Sequence, residues 1–462
     1  MDNSEDLHSL RREDGKQTAG KMIELVTVGR PIVKESNLVK EAQPIGDREI
    51  TAVRELIESV SPIDIHNYQL HQHLQLTGKF ARKIGQTLKN AHPHKYDNLN
   101  LDELEILGLL HDFGRFTTHR FLRNDAIGKI ELREMGIRQD LLQKLPSLNI
   151  YLNKDPNNQE QITAVFDGLS VEQKIIELAD ICGKRKPDGG IRLFEEVMNY
   201  HKQSRSHYQA LTGVEEIWIS EKSKDENFIA FSEKVYRKIQ KWLSEEGTDT
   251  KNIRTYILEE EQNAPVQAII FDVGNVLVPN PEGEVINDIA QRFGIRQRET
   301  ETKWAETLPP FQTREISEEE FWSRLSQNIG KPLPENHQSM ATDKLRTKRD
   351  PQFDELLKEL KEKGYILAVH SDTIPPHLQA FRQAGTYDGF DIEILSPEIK
   401  VTKRSKEAFI IAALKLWLPP QACVFVDDKP EYVRYSKQAG QDGYAYSSFS
   451  QLEQEFKKNR IL

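Results

Sequence analysis

The sequence predicts a multidomain protein in which an all-α helical bundle is followed by an α/β domain with a parallel sheet. Three observations predict this fold class. The chain has 462 residues, and a chain of this length usually folds into more than one domain, each with its own hydrophobic core. Residues 50–243 carry apolar side chains three and four positions apart, as in amphipathic helices. After Pro265, short apolar runs alternate with helical segments, as in a parallel sheet covered by helices.

The pattern divides the chain into four segments. Residues 1–49 are polar and mixed in charge, so we expect partial disorder there, with a candidate short strand at residues 23–33. Residues 50–243 are the predicted helical domain. Residues 244–264, "SEEGTDTKNIRTYILEEEQNA", are expected to be a linker with one short element at most, "TYIL". Residues 265–462 are the predicted α/β domain.

Composition restricts the classes of function. The net charge of −10 argues against a protein that mainly grips nucleic acid. The N-terminal residues lack the apolar core of a secretory signal, and no apolar run approaches the roughly 20 residues that span a bilayer. Only two cysteines occur, far apart, which favours neither a disulfide framework nor a cysteine-based zinc site. We expect a cytoplasmic protein without a membrane partner.

An apolar helical run in "LGLLHDFGRF" ends on adjacent His111 and Asp112. Upstream, "YQLHQHLQLTGKFARKIG" places His71 and His73 on a predicted helix, and Asp180 ends a third apolar helix in "KIIELADICGK". Two imidazoles and two carboxylates from three helices would enclose one divalent cation. These ligands suit Zn, Mn, Fe or Co better than Ca. Such a metal lowers the pKa of bound water and supplies hydroxide near neutral pH.

This H…HD…D order resembles the HD-domain phosphohydrolase superfamily, over roughly residues 60–190. The resemblance implies His73, His111, Asp112 and Asp180 as the ligands of a single metal in an all-helical fold, with His71 and His66 as alternative registers for the first ligand. Arg115 stands where the family usually has lysine, and its charge would hold a substrate phosphate. A two-metal site needs further histidines before the last aspartate, and only His119 lies there. We leave His92, His94 and His119 out of the site.

Polar residues end the strand-like runs of the α/β half. Asp272 follows "AIIF", Ser371 ends "ILAVHS", and Asp427 with Asp428 ends "CVFVDD"; Lys403 lies between the last two. Because the carboxyl ends of parallel strands form the site in such sheets, we expect these side chains to converge. Together they would bind a phosphate and Mg²⁺. A carboxylate would attack phosphorus while serine and lysine hold the oxygens.

These four ordered elements resemble the haloacid dehalogenase superfamily, from residue 266 to about 446. The resemblance implies a Rossmann-like domain whose small helical cap, about 280–350, closes over the site. It implies Asp272 as nucleophile, Ser371 and Lys403 as the second and third motifs, and Mg²⁺ held by the carboxylates Asp272, Asp427 and Asp428 and the Gly274 carbonyl. We also expect Asn275 and Asp372 to bind substrate.

Two departures from the family pattern affect the expected chemistry. Gly274 stands where a second aspartate normally acts as general acid, and loss of a general acid typically costs roughly 10²–10⁴-fold in rate. Arg404 replaces the proline that usually follows the lysine, so Lys400 and Lys406 remain alternatives to Lys403.

The sequence therefore favours a two-domain, metal-dependent phosphohydrolase acting on small phosphorylated metabolites such as nucleotides or sugar phosphates. A regulatory protein that binds a phosphorylated ligand with little turnover is the alternative, and Gly274 favours it for the α/β domain. Processing of nucleic-acid ends is a third interpretation, which the acidic charge and the cap oppose. The oligomeric state and the substrate stay open.

Overall fold

The computed structural model describes residues 45–116, 124–135, 137–151, 154–186, 190–193, 195–197 and 222–462. The candidate strand at 23–33 and His119 lie outside these residues. The chain divides into two compact units. One is drawn from the described parts of Met1–Pro62, His73–Lys184 and Ile191–Arg254, and the other from those of Ile63–Gln72, Arg185–Gly190 and Thr255–Leu462. The predicted order of a helical region followed by a parallel-sheet α/β domain is confirmed.

The N-terminal region is built from helices. They are α1 Asp47–Val60, α2 Tyr68–Ala91, α3 Pro93–Tyr96, α4 Leu101–Leu110, α5 Asn124–Glu134, α6 Gln139–Lys144, α7 Gln159–Gly168, α8 Val171–Cys182, α9 Lys222–Glu245 and α10 Thr250–Gln262. Short polar side chains start several of them. Asn100 accepts hydrogen bonds from the first backbone N–H groups of α4, and Ser170 with Gln173 forms a capping box at α8.

Two glycines allow α2 and α4 to approach closely. A Cβ atom on Gly108 would lie 2.7 Å from the Cα atom of Gly78, which is closer than van der Waals contact permits. Leu104, Leu107 and the other apolar side chains of α4 are buried around this contact. The tight packing fixes the relative position of the helix that carries His73 and the helix that ends at His111.

The segment 244–264 differs from the expected linker, because most of it forms the thirteen-residue helix α10. Its polar composition hides a short apolar repeat. Ile253 and Ile257, four residues apart, are buried, while Tyr256 between them is exposed. A buried apolar stripe on one face, here Ile253 and Ile257, is enough to stabilise a helix whose other faces are charged.

The α/β domain has a five-stranded parallel sheet with the order β3-β2-β1-β4-β5. The strands are β1 Ala268–Phe271, β2 Ile366–Ser371, β3 Ile392–Leu395, β4 Cys423–Asp427 and β5 Asp442–Ala445. The helices around them are α14 Pro351–Glu362, α15 Pro375–Gln383, α16 Ser396–Ile399, α17 Lys406–Lys415, α18 Pro430–Gln438 and α19 Phe449–Lys458. Strand β5, "DGYA", was not predicted, because only Gly443 of its four residues is fully buried.

Both faces of the sheet are covered, which explains the continuous apolar runs of its central strands. Ile269 and Phe271 of β1 belong to the cluster that includes Phe353 and Phe456. Ala268 and Ile270 belong to the cluster on the other face, with Phe409 among its members. Every residue of β1 is therefore buried, and the strand lies between β2 and β4 at the centre of the sheet.

A helical insertion follows β1, in the interval predicted for the cap. Its helices are α11 Glu282–Phe293, α12 Gln297–Gln312 and α13 Glu318–Ile329, followed by a 3₁₀ turn at His337–Ala341. The insertion has an aromatic core of its own, in which Phe311 stacks on Phe321 with ring centroids 4.6 Å apart. In the part of the chain that the structure describes, no helix combines the length and the apolar character needed to cross a membrane.

Candidate active sites

Four side chains from three helical segments of the first unit meet at one point. His73 lies on α2, His111 and Asp112 directly follow α4, and Asp180 lies in the last turn of α8. Each offers a ligand atom within 4.8 Å of the others. These are the four residues that the sequence selected. Of the alternatives, His66 is exposed and His71 belongs to the other unit.

Backbone carbonyls fix both imidazole rings. His73 Nδ1 lies 2.9 Å from the Gly183 carbonyl oxygen, and His111 Nδ1 lies 2.8 Å from that of Gly108. A carbonyl only accepts, so each neutral ring carries its proton on Nδ1 and turns a bare Nε2 inward. The two Nε2 atoms are 3.2 Å apart. Two lone pairs at this distance repel each other unless a proton or a metal ion lies between them.

Carboxylates add negative charge at the same point. Asp180 Oδ1 lies 3.0 Å from His73 Nε2 and 3.4 Å from His111 Nε2. Asp112 and Asp180 outweigh the effect of burial and raise the pKa of His111 to about 10, and His111 and Arg115 help to hold the pKa of Asp112 well below its usual value despite burial. Nitrogen and oxygen donors with excess negative charge fit a divalent transition metal.

Arg115 occupies a position beside this cluster. Its Nε lies 2.9 Å from Asp112 Oδ2, so it pairs with a candidate metal ligand. About a third of the arginine side chain, 31%, is exposed.

Glu177 is a further polar residue of this region that the sequence analysis did not select. It lies three residues before Asp180 on α8, on the same helix face. Burial raises the pKa of Glu177 to about 7, although the neighbouring hydroxyl groups of Tyr151 and Tyr236 act in the opposite direction. The sequence feature that could have indicated Glu177 is a glutamate inside the apolar run "IIELA".

In the second unit, the predicted side chains converge at the carboxyl ends of β1, β2 and β4. Asp272 follows β1, Ser371 ends β2, and Asp427 ends β4. Lys403 connects two of these strands, because its Nζ lies 2.6 Å from Asp272 Oδ1 and 2.6 Å from Asp427 Oδ2. The lysine side chain is 1% exposed. Of the three lysines considered from the sequence, Lys403 is the one between these carboxylates.

Burial and the lysine have opposing effects on these acids. Burial raises the pKa of Asp272 and raises that of Asp427 to about 7, while the Lys403 ammonium lowers both. The same two carboxylates overcome the burial of Lys403 and raise its pKa above the usual value. Asp372 also orients the lysine segment, because its Oδ1 accepts a hydrogen bond of 2.8 Å from the Lys403 backbone N–H.

A third carboxylate completes the cluster. Asp272, Asp427 and Asp428 each offer an oxygen within 4.8 Å of the others. Asp428 Oδ2 accepts a 2.9 Å hydrogen bond from Asn275 Nδ2, whereas its buried Oδ1 has no hydrogen-bond partner among the described residues. Asn275 has a left-handed backbone, φ 58°, which asparagine tolerates better than most residues. An orphaned carboxylate oxygen beside two other acids fits Mg²⁺, which prefers oxygen ligands.

The cavity in front of Asp272 is lined by residues that the sequence did not single out. Asn280 lies in the loop after β1, and Leu345 lies in the segment before α14. His377 and Phe381 lie on α15, Lys429 directly precedes α18, and Tyr432 lies on α18. His377 Nε2 lies 2.7 Å from the Ala341 carbonyl oxygen, at the end of the cap. Ser371, Asp372 and Gly274 also line the cavity.

A comparison with protein families concerns this second half. A protein-family model described as haloacid dehalogenase-like hydrolase matches residues 266–440. The C-terminal part of the chain is therefore a haloacid dehalogenase-like hydrolase domain. No curated protein matches the sequence.

Solved structures similar to the chain include a haloacid dehalogenase family enzyme from Bacteroides thetaiotaomicron, with 21% identity over 41% of this chain and 98% of that one, at a TM-score of 0.36. A predicted hydrolase of the same family from Porphyromonas gingivalis has 21% identity over 43% and 98%, at a TM-score of 0.37. An L-2-haloacid dehalogenase from Xanthobacter autotrophicus has 21% identity over 43% and 84%, at a TM-score of 0.31.

Proposed function

We propose that the α/β domain is a phosphatase that hydrolyses small phosphorylated metabolites through an aspartyl-phosphate on Asp272. The observation that carries the proposal is the buried Asp272–Lys403–Asp427 arrangement, with both Nζ–O distances at 2.6 Å. It holds one carboxylate at the end of the central strand, beside a fixed positive charge. A nucleophile positioned in this way needs little reorganisation before it attacks.

The first step transfers the phosphoryl group to the protein. An oxygen of Asp272 forms a bond to phosphorus, and the bond from phosphorus to the leaving-group oxygen breaks, with its electron pair remaining on that oxygen. Water then attacks phosphorus, the bond to Asp272 breaks, and inorganic phosphate and the free carboxylate result. Lys403 and Ser371 stabilise the phosphoryl oxygens during both steps. Asp272, Asp427, Asp428 and the Gly274 carbonyl would hold Mg²⁺, which supplies neutralisation of phosphate charge.

Phosphate release tests this proposal. We would assay a panel of small phosphate esters with Mg²⁺, comparing the wild type with Asp272→Asn. Asp442→Asn serves as the matched control, because Asp442 is an exposed aspartate on the edge strand β5 of the same sheet. We expect Asp272→Asn alone to abolish turnover. Wild-type rates in Asp272→Asn would refute the assigned nucleophile.

We propose a second activity for the helical half, hydrolysis of a phosphate ester or anhydride of a nucleotide-like metabolite by an HD-type site. The facing Nε2 atoms of His73 and His111, 3.2 Å apart beside two carboxylates, support it. His73, His111, Asp112 and Asp180 would hold one Mn²⁺, Zn²⁺, Fe²⁺ or Co²⁺, which supplies a water of lowered pKa. The positive charge of Arg115 would bind the substrate phosphate.

Metal content tests the helical site independently of activity. Elemental analysis of the purified chain should find one transition metal per chain in the wild type and none in Asp112→Ala. His92→Ala is the control, since this half-exposed histidine hydrogen-bonds the Glu246 carbonyl and lies outside the four-residue cluster. Equal metal content in wild type and Asp112→Ala would contradict the proposed ligand set. Nucleotide hydrolysis with added Mn²⁺ should follow metal content across the three proteins.

A further inference from the structure

Asn280 lies beside the place where a side chain at position 274 would project. A Cβ atom on Gly274 would lie 3.4 Å from Asn280 Cβ, 3.5 Å from Cγ and 3.6 Å from Nδ2. These are ordinary contact distances, so the carboxamide borders that space without filling it. Gly274 and Asn280 both line the cavity in front of Asp272. The amide thus stands next to the position from which the family's general acid would act.

Hydrogen bonds fix the orientation of this amide. Asn280 Oδ1 accepts a 3.1 Å hydrogen bond from the Glu282 backbone N–H, which assigns Nδ2 to the other side of the group. The Asn280 backbone N–H donates to Asn275 Oδ1 at 3.0 Å, and Asn275 Nδ2 donates to Asp428. No hydrogen bond from Asn280 Nδ2 is found among the described residues. A donor held in place by hydrogen bonds with Glu282 and Asn275 therefore remains available at the edge of the site.

The other polar groups of the cavity are poorly suited to replace the missing acid. His377 already directs Nε2 at the Ala341 carbonyl oxygen, and burial lowers its pKa, so it is neutral at physiological pH. Burial raises the pKa of Tyr432, which makes its hydroxyl a weaker acid. Asp372 accepts the Lys403 backbone N–H, and Lys429 places its ammonium 5.2 Å from the Tyr432 ring centroid. Asn280 is the donor that adjoins position 274.

We propose that Asn280 donates a hydrogen bond to the leaving-group oxygen in place of the missing general acid, and that the site favours phosphate compounds with weakly basic leaving groups because an amide cannot protonate that oxygen. This inference rests on the proposed phosphatase function of the domain. An amide N–H stabilises the negative charge that develops on the leaving oxygen, but it cannot transfer its proton. The departing anion must take its proton from water. Aryl, enol and anhydride phosphates tolerate this, whereas an alkoxide is too basic to leave readily without protonation.

Leaving-group dependence tests the proposal. The probes are p-nitrophenyl phosphate, whose leaving group is weakly basic, and glycerol 2-phosphate, a simple alkyl ester. We expect the wild type to prefer the aryl ester strongly. Asn280→Ala should lower kcat/KM for glycerol 2-phosphate by about tenfold, the value of one hydrogen bond to a developing charge. The aryl ester needs less stabilisation and should lose much less. Asn459→Ala, which removes an exposed asparagine of α19's end, should change neither rate.

Asn280→Asp keeps the Oδ1 acceptor for Glu282 and adds a group that can transfer a proton. We expect it to raise the rate with glycerol 2-phosphate above that of the wild type at low pH, with the gain disappearing as the new carboxyl ionises. Equal losses for both esters in Asn280→Ala, with no gain in Asn280→Asp, would show a merely structural role and overturn the inference. Failure of the proposed function would look different, because Asp272→Asn would then retain the activity of the wild type.

Discussion

The two candidate sites balance their charges in different ways. In the α/β domain a lysine of the chain itself lies between the carboxylates, with Lys403 Nζ 2.6 Å from both Asp272 and Asp427. In the helical unit, His73 and His111 direct their Nε2 atoms toward each other and toward Asp180. The first arrangement is largely stable by itself, whereas the second needs a proton or a metal ion. Similar carboxylate clusters can therefore be preorganised by a cation of the chain, such as Lys403, or by a bound proton or metal ion.

The largest expected effect comes from removing the internal cation. Lys403→Met leaves Asp272 and Asp427 buried without a positive partner, and breaking a buried pair typically costs about 3–5 kcal/mol. Urea unfolding should show this loss in the free energy of unfolding. Lys406→Met, three residues further on at the start of α17, is the control and should change it by less than about 1 kcal/mol. Equal losses in the free energy of unfolding for the two substitutions would contradict the idea that Lys403 stabilises the carboxylate cluster.

Next in size is the effect of metal on the helical unit. If His73, His111, Asp112 and Asp180 bind a transition metal, addition at 100 times its Kd stabilises the folded state by about 2.7 kcal/mol. Differential scanning calorimetry of the metal-stripped chain with Mn²⁺ or Zn²⁺ would measure the shift in Tm. In Asp180→Asn the shift should be small. An undiminished shift in that variant would place the metal elsewhere.

Glycines at the two sites should respond unequally. A Cβ on Gly183 would lie 2.4 Å from Thr77 Oγ1 and 2.9 Å from the Ala179 carbonyl oxygen, so Gly183→Ala should destabilise by about 1–3 kcal/mol. It should also weaken metal binding, because the Gly183 carbonyl orients His73. Gly274→Ala meets only ordinary contacts and should cost less than about 0.5 kcal/mol. Urea unfolding of both variants would measure the two losses in the free energy of unfolding. Equal losses would mean that the backbone at Gly183 adapts to the added methyl group.

The smallest effects are pH slopes of opposite sign. Burial raises the pKa of Glu177 to about 7, so the folded state holds a proton that the unfolded state releases; this stability is present in acid and is lost as pH rises toward 7. Burial lowers the pKa of His370, so its contribution is lost as pH falls below the unfolded value of about 6.5.

Each group changes the free energy of unfolding by at most about 1.4 kcal/mol per pH unit within its window. Glu177→Gln and His370→Leu should each remove one slope, measured as the difference from wild type in urea unfolding between pH 5 and pH 8. Parallel curves for a variant and the wild type would show that the group titrates alike in both states.

Much of the α/β fold could be predicted from the sequence because its information is local. The runs ending at Asp272, Ser371 and Asp427 are apolar on both faces and mark the three central strands. The edge strand β5 lacks that mark, since Asp442 and Ala445 are exposed. Helix α10 was missed for a related reason, because its burial rests on little more than Ile253 and Ile257.

The sites were predictable to the extent that their residues end apolar elements. His111, Asp112 and Asp180 do so, and the structure brings them together with His73. The lining of the cavity could not be read in this way. His377 and Tyr432 lie on helices with ordinary amphipathic patterns, and Lys429 directly precedes one. Only the three-dimensional packing places them in front of Asp272. The carbonyls of Gly108 and Gly183 are invisible to side-chain patterns for the same reason.

The central position of β1 has a consequence for the dynamics of the domain. Its amides are hydrogen-bonded between two parallel neighbours and covered on both faces, so their hydrogen exchange with solvent requires opening of the whole sheet. Asp272 continues this hydrogen bonding, since its N–H donates to the Val426 carbonyl at 2.8 Å. The amide of the proposed nucleophile should therefore be among the slowest to exchange in the domain. The backbone that carries the proposed attacking carboxylate is thus expected to be rigid.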